Sequence, residues 1–329
     1  MVSPSAMPRT GLLDHERFLE CCTSKLNPPS IINAEVNIMR YRSVFRPDLF
    51  SGQTVIVTGG GSGIGRCTAH ELASLGAGLA LIGRKIEKLE KVRDEIGEAY
   101  PEARVSCHPC DIRDEEQVKA AVAEVLAAHG RIDGLVNNAG GQFPASAETI
   151  SLKGWEAVVK TNLTGGFLMS RECYVQWMQD NGGAIVNIIA DMFSGMPGLA
   201  HSGAARAGML NFTESVACEW AWAGVRVNAV APGHIASSGL ETYDDWFKEE
   251  LKQRARIVPL QRFGTEAETS AAIVFLLSEA AAYITGTCLR VDGGVPNARP
   301  RWKLATHSRS RPYMGFPLER IPEFLSSNE

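Results

Sequence analysis

The sequence predicts an α/β fold: a Rossmann-like, doubly wound parallel sheet of seven strands in a single domain with N- and C-terminal extensions. Two observations carry that prediction. Seven short apolar runs, each ending in a loop, recur from about residue 53 onward, and the stretches between them place apolar residues at helical spacing. A strand covered on both faces reads as a nearly continuous apolar run, which is the pattern that a parallel sheet with helices on both sides produces. With 329 residues, 45% of them apolar, the chain can bury the core such a sheet needs.

Taken in order, TVIVTGG is the first strand, and the glycine-rich loop after it opens a helix containing Cys67, Ala69 and Leu72. LALIGR is the second, followed by a helix with Leu89, Val92 and Ile96 on one face. ARVSCHPCD is the third, before a helix marked by Val118, Val122 and Val125. GLVNNAG, AIVNIIA, VRVNAVAPG and CLRVDGG complete the set. No repeat or long Pro/Gly/Ser linker interrupts residues 50–294, so they read as one domain, with an extension over 1–49 and a tail over 295–329.

The loop Thr58-Gly59-Gly60-Gly61-Ser62-Gly63-Ile64-Gly65 sits between a strand and a helix, where glycines let the backbone approach a pyrophosphate and the helix N-terminus supplies N–H groups. A dinucleotide is the expected ligand, with Gly59, Gly61, Ser62, Gly63, Ile64 and Gly65 around its phosphates. At the end of the second strand an NAD site would carry an acid for the ribose hydroxyls. Here stand Arg84 and Lys85, cations suited to a 2′-phosphate, so the expected cofactor is NADP(H). Asp111 and Ile112 are placed to hold and cover the adenine, and Asn138, Ala139 and Gly140 to lie along the cofactor.

A formal charge of -4 provides no global field for nucleic acid or an anionic membrane, and neither is an expected partner. The first residues lack an apolar signal core, no run of eighteen apolar residues follows, and the chain does not end in an SKL-type address, so a cytoplasmic location is expected. Eight cysteines in a chain of this length read as reduced thiols. Cys107 and Cys110 have redox-motif spacing but follow a strand and precede Asp111, which favours a structural reading; Cys21-Cys22 lacks partners at zinc-ligand spacing. The tail carries Arg299, Arg301, Lys303, Arg309, Arg311 and Arg320, a solvated or subunit-wrapping segment with contact to a phosphorylated ligand as the alternative.

Together TGGGSGIG, DIRD, NNAG, KTNLTG, IVNI, RVNAVAPG and RVDGG resemble the short-chain dehydrogenase/reductase family over about 240 residues. The resemblance implies hydride transfer from a nicotinamide without a metal, and a homotetramer or homodimer packed through two long helices. It also implies that Asn162 kinks its helix and holds a water near the active site, and that Arg206 occupies the position of a lysine binding the nicotinamide ribose. Ile189 stands in the usual serine-containing stretch, and Pro232, Gly233 and Ile235 belong to the loop beneath the nicotinamide.

The segment HSGAARAG departs from the family, because Ser202 and Arg206 occupy the positions of its Tyr and Lys. Serine is a poor acid and arginine keeps its proton, so ordinary ketone reduction lacks its proton donor. Reducing a carbon–carbon double bond beside a thioester demands less: the enolate oxygen needs only hydrogen-bond donors, within reach of Ser202 and backbone N–H groups. NNAGGQF, KGWEAVVKTNLTGGF and GGAIVNII, with HSGAARAG, look like the branch of enoyl-CoA and 2,4-dienoyl-CoA reductases. The leading expectation is therefore an NADPH-dependent trans-2-enoyl-CoA reductase acting on an acyl-CoA thioester. The alternatives are an alcohol dehydrogenase or ketone reductase for a terpenoid or other non-thioester substrate, and a cofactor-binding protein with little catalysis.

Relatives in that branch place a tyrosine eleven residues before the serine, where this chain has Asp191. A raised pKa would let Asp191 donate a proton; a solvent-exposed loop acid is its ordinary reading. His201 reads as a structural or rim residue. Leu240, Tyr243, Trp246, Phe247 and Leu251 share the spacing of one apolar helical face in a lid, and Arg254, Arg256 and Arg262 are candidates for the phosphates of CoA or for a solvated surface.

Overall fold

The computed structural model describes residues 40–298 and 304–326. Cys21, Cys22, Met39, Arg299, Arg301 and Lys303 lie outside the described residues. Strands Thr54–Thr58 (β1), Gly78–Gly83 (β2), Val105–Pro109 (β3), Gly134–Asn137 (β4), Gly183–Ile188 (β5), Val225–Pro232 (β6) and Cys288–Val291 (β7) pair in parallel in the order β3-β2-β1-β4-β5-β6-β7. Five lie inside the apolar runs assigned to them, and β2 and β5 begin one residue earlier, at Gly78 and Gly183. The order reverses between β1 and β4, and a crevice opens there beyond the carboxyl ends of the strands.

Helices Gly63–Ser74 (α1), Ile86–Ala99 (α2) and Glu115–His129 (α3) link the first four strands. Leu152–Val159 (α4), Gly165–Cys173 (α5) and Gln179–Asn181 (α6) form one helical run broken by π-helical turns at Lys160–Thr164 and Tyr174–Met178. Ala200–Glu219 (α7), Asp245–Arg254 (α8), Glu266–Leu277 (α9) and Glu323–Ser326 (α10) follow. Among the described residues, no helix is long and apolar enough to cross a membrane.

Strand side chains alternate between faces, so one run of residues builds two cores. Val55, Val57, Leu79 and Leu81 pack with Leu72, Leu89, Val92, Ile96 and Ile273 from α1, α2 and α9. Ile56, Ala80 and Ile82 pack on the other face with Val118, Val122, Val125, Met169 and Val216. The helix ends are fixed by local chemistry: Asp114 caps α3 through the Gln117 N–H, Gly130 ends it in the left-handed region, and Thr265 with Glu268 forms a capping box at α9.

The segments flanking the sheet do not stand away from it. Phe316 is buried with Tyr41, Cys67 and Ala267, and the Arg66 guanidinium lies 5.1 Å from its ring centroid. Thr265 donates through Oγ1 to the Tyr313 carbonyl, and Arg262 donates to Ser310 and to the Arg311 carbonyl. Buried Glu71 accepts from Tyr41, Ser43 and Ser270, tying the entry segment to α1 and α9; burial pushes its carboxyl up. Residues 40–49 and 304–326 thus pack against the helices flanking the sheet, where aromatic side chains from both share an apolar seat.

Candidate active site

The glycine loop owes its shape to two left-handed residues, Gly59 (φ +66°) and Gly63 (φ +57°). A side chain at Gly65 would stand 2.4 Å from the Gly59 carbonyl oxygen and from Asn138 Nδ2, so only glycine lets α1 start against the end of β1. Ser62 makes no side-chain capping bond, which leaves the first N–H groups of α1 directed at the crevice. Thr58 Oγ1 donates to the Val136 carbonyl and accepts from the N–H groups of Asn138 and Ala139, both at 3.0 Å, while Asn138 Nδ2 donates to the Thr58 carbonyl at 3.0 Å. The loop 138–140 is therefore pinned to β1.

A cleft of about 360 Å³ results, walled by Gly59, Gly61, Ser62, Gly63, Ile64, Arg84, Lys85, Asp111, Ile112, Asn138, Ala139 and Gly140. Gly65 supports this wall from behind. Arg84 and Lys85 are exposed and make no ion pair among the described residues; Lys88, on the same helix start, joins them at the cleft and escaped the sequence reading. The Asp111 carboxylate accepts from Arg113 Nε at 2.8 Å, and this hydrogen bond holds it below the usual carboxylate range. Glycine cradle, helix N-terminus and cleft fit the pyrophosphate and adenosine of a dinucleotide.

A second cavity of about 690 Å³ continues from it, bounded by Gln142, Ile189, Asp191, Arg206, Pro232, Gly233, Ile235 and the segment carrying Leu240, Tyr243, Phe247, Leu251 and Arg254. That segment is a 3₁₀ turn over Ser238–Thr242 followed by α8 rather than one continuous helix. Phe247 and Leu251 are buried while Trp246 is exposed. Arg254 reaches the cavity wall and pairs with Glu250; Arg256 is exposed; Arg262 is held by Glu268, the Ser310 hydroxyl and the Arg311 carbonyl, leaving it no fork for a phosphate.

Arg206 extends from α7 beneath Gly140 and donates to the Ile188 carbonyl. A Cβ at Gly140 would lie 2.6 Å from its Nη2 and 2.8 Å from Asn162 Oδ1, so glycine is required where these groups converge. Burial lowers the Arg206 pKa to about 10, which still leaves the guanidinium charged at neutral pH. Its Nε is buried with no hydrogen-bond partner among the described residues, an unspent donor beside the crevice. Asn162 sits in the first π-helical turn; its side chain donates to the Gly141 carbonyl at 2.8 Å and accepts from the Gly141 N–H at 3.0 Å. The helix makes a π-helical turn at this residue, and the amide grips the loop directly.

Ser202 is fully buried and does not reach the cavity wall; its hydroxyl donates to Gln142 Oε1 at 2.6 Å. Gln142 Nε2 donates in turn to Tyr243 Oη at 3.2 Å. Any effect of Ser202 on a ligand passes through Gln142, a residue the sequence offered only as part of a motif. Asp191, expected as a solvated loop acid, is half-buried, and burial together with the Asp292 carboxylate raises its pKa. His201 is buried, accepts from the Ser202 N–H through Nδ1 and meets Phe143 edge-on at 4.5 Å, a structural role. Burial raises the Cys107 thiol and takes Cys110 to about 11, the opposite of an activated thiolate.

Residues 59–296 match the family described as Enoyl-(Acyl carrier protein) reductase. The chain is 36% identical over 273 residues to the peroxisomal 2,4-dienoyl-CoA reductase [(3E)-enoyl-CoA-producing] of Danio rerio, covering 82% of this chain and 89% of that protein. It is 40% identical over 247 residues to the probable 2,4-dienoyl-CoA reductase [(2E)-enoyl-CoA-producing] of Bacillus subtilis, covering 74% and 96%. Among solved structures, the citronellol catabolism dehydrogenase of Pseudomonas aeruginosa PAO1 shares 57% identity at a TM-score of 0.70, covering 78% of this chain and 99% of that one. The chain belongs to the short-chain dehydrogenase/reductase family and is an oxidoreductase of that family, whose members use a nicotinamide cofactor.

Proposed function

We propose that this protein reduces the carbon–carbon double bond of a trans-2-enoyl-CoA thioester with NADPH. The observation that carries the reading is the replacement of a phenol and an amine on α7 by Ser202, whose proton is committed to Gln142, and Arg206, which stays charged. That pair favours a reaction whose oxygen needs hydrogen bonds rather than a proton. The similarity to two dienoyl-CoA reductases supports the same substrate class.

When bound, the reduced nicotinamide supplies the hydride. Arg206 holds the ribose end, and Asn162 fixes the loop 140–142 above it. Asp191, which lines the same cavity and whose carboxyl is raised by burial and by Asp292, is suited to hold a proton for the α-carbon. Arg84, Lys85 and Lys88 favour the 2′-phosphate of NADPH over NADH. Exposed Leu152, Trp155, Phe167 and Val175 on the α4–α6 run suit a homodimer or homotetramer built through that face.

The test is oxidation of NADPH followed spectrophotometrically with crotonyl-CoA and longer trans-2-enoyl-CoAs. Absence of turnover at every chain length, in protein shown to bind NADPH, removes the proposal. A second reading has its own support in the 57% identity to the citronellol catabolism dehydrogenase: oxidation or reduction of an acyclic terpenoid alcohol or ketone. Turnover of such alcohols without turnover of CoA esters selects it. Ser202→Ala is expected to lower kcat more than cofactor affinity, and Arg206→Ala to lower both.

A further inference from the structure

We propose that the phenol of Tyr243, on the segment covering the cavity, donates the hydrogen bond to the substrate carbonyl oxygen, and that Gln142 and Ser202 set its direction. The inference rests on the carbonyl-containing substrate of the proposed function and adds a residue outside its expected site. A hydroxyl has one proton and can accept two hydrogen bonds, so direction can be followed along a chain of such groups. Ser202, buried within α7, gives its proton to Gln142 Oε1 at 2.6 Å. This fixes which end of the Gln142 amide faces away from α7, and Nε2 donates to Tyr243 Oη at 3.2 Å.

Tyr243 Oη therefore accepts from Gln142, and its own proton points away from Gln142. That proton has no acceptor among the described residues, and Tyr243 lines the 690 Å³ cavity beside Gln142, Asp191 and Arg206. The cations lining the cavity are partly engaged elsewhere: Arg206 Nη1 serves the Ile188 carbonyl, the rest of its guanidinium being assigned to the ribose, and Arg254 pairs with Glu250. A hydroxyl held in the cavity wall offers a preorganised donor to an oxygen gaining charge. Its ring packs edge-on to buried Phe247 at 4.9 Å, which limits its swing. The phenol missing from α7 is thus supplied by the segment that covers the cavity.

Three measurements test this with the full-length protein. With crotonyl-CoA and NADPH, Tyr243→Phe should lower kcat by about 100-fold while KM changes by no more than about threefold, the pattern for loss of an oxyanion donor. Gln142→Leu, which breaks the chain without altering the phenol, should lower kcat by about tenfold, and Ser202→Ala should lower it in wild type but not in the Tyr243→Phe background, as expected for residues acting in series. Isotope-edited infrared spectra of bound butyryl-CoA, labelled at the thioester carbonyl, should show a downshifted stretch in wild type that returns toward the solution value in Tyr243→Phe. This reading needs no turnover. Unchanged kcat and an unchanged carbonyl band in Tyr243→Phe overturn the inference even if the wild type reduces crotonyl-CoA. A wild type inert toward every enoyl-CoA, whose ketone turnover falls in Tyr243→Phe, overturns the thioester reading and leaves the role of Tyr243 in place.

Discussion

The side-chain amide of Asn162 pairs with both backbone groups of Gly141, donating to the carbonyl at 2.8 Å and accepting from the N–H at 3.0 Å. It can reach because the helix carrying it makes a π-helical turn over Lys160–Thr164, which pushes residue 162 toward the crevice. Asn162→Ala leaves two backbone groups without partners, at a cost of about 2 kcal/mol. Asn162→Asp keeps the acceptor but sets a carboxylate against the Gly141 carbonyl. Both variants should loosen residues 138–142 and lower kcat by at least about tenfold. Hydrogen exchange at Gly141 checks the cause: retained protection in either variant would break the link between this grip and the activity.

Glu266 and Glu319 present a second test, in pH. The Glu266 N–H donates to Glu319 Oε1 at 2.8 Å, and burial raises both carboxyls to about 7, with Glu319 adding to the rise at Glu266 and Glu268 to that at Glu319. Arg66 opposes the rise at Glu266 without cancelling it. Both groups bind protons more tightly folded than unfolded, so their contribution to stability is complete below about pH 4.5 and is lost as pH rises through about 7. Glu319→Gln, which can still accept from Glu266, should match wild type in Tm near pH 5 and exceed it near pH 8. A Tm difference that stays constant across this range would dispose of the assignment.

How much of this was legible in the sequence depends on the range of the interactions. All seven strands were, because a strand buried on both faces leaves a local apolar signature, and so was the glycine cradle, whose spacing is fixed by a turn and a helix start. Pairings across the chain were not. Ser202 and Gln142 are separated by 60 positions, and Gln142 and Tyr243 by 101; nothing local marks a glutamine as the link between two hydroxyls. The elevated carboxyl of Asp191 comes from burial and from Asp292, which lies just after β7. Lys88 could have been found, since it lies one helical turn beyond Lys85 on a helix whose start faces the cleft. The docking of the tail had a weak signal in its aromatics, Tyr313 and Phe316, which its arginines outnumbered.

Phe316 measures what that docking contributes. Its ring is 2% exposed, tilted against His70 at 5.1 Å and beneath the Arg66 guanidinium. Removing such a ring costs about 3–5 kcal/mol in a core that cannot collapse. Here the loss is expected to fall on the tail, since Phe316 belongs to a small cluster apart from the two sheet cores. Phe316→Ala should therefore make residues 304–326 sensitive to limited proteolysis while the sheet amides keep their protection. Loss of protection throughout the sheet would mean that the tail and the domain unfold as one.

The proposed preference for NADPH rests on the end of β2. Arg84 and Lys85 are exposed at the cleft, with no carboxylate in ion-pair range among the described residues, and Asp111 nearby is already committed to Arg113. A 2′-phosphate placed there would meet cations whose charge is not yet spent; a 2′-hydroxyl would find no acceptor of the kind an acid provides. Arg84→Ala combined with Lys85→Ala should raise KM for NADPH by about 10- to 100-fold, corresponding to one or two charge-assisted hydrogen bonds, and leave KM for NADH within about threefold. Added salt should weaken NADPH binding in wild type more than in the double variant, because exposed pairs are screened. Equal losses for the two coenzymes would show that these residues support the loop rather than read the phosphate, and the NADPH assignment would fall with them.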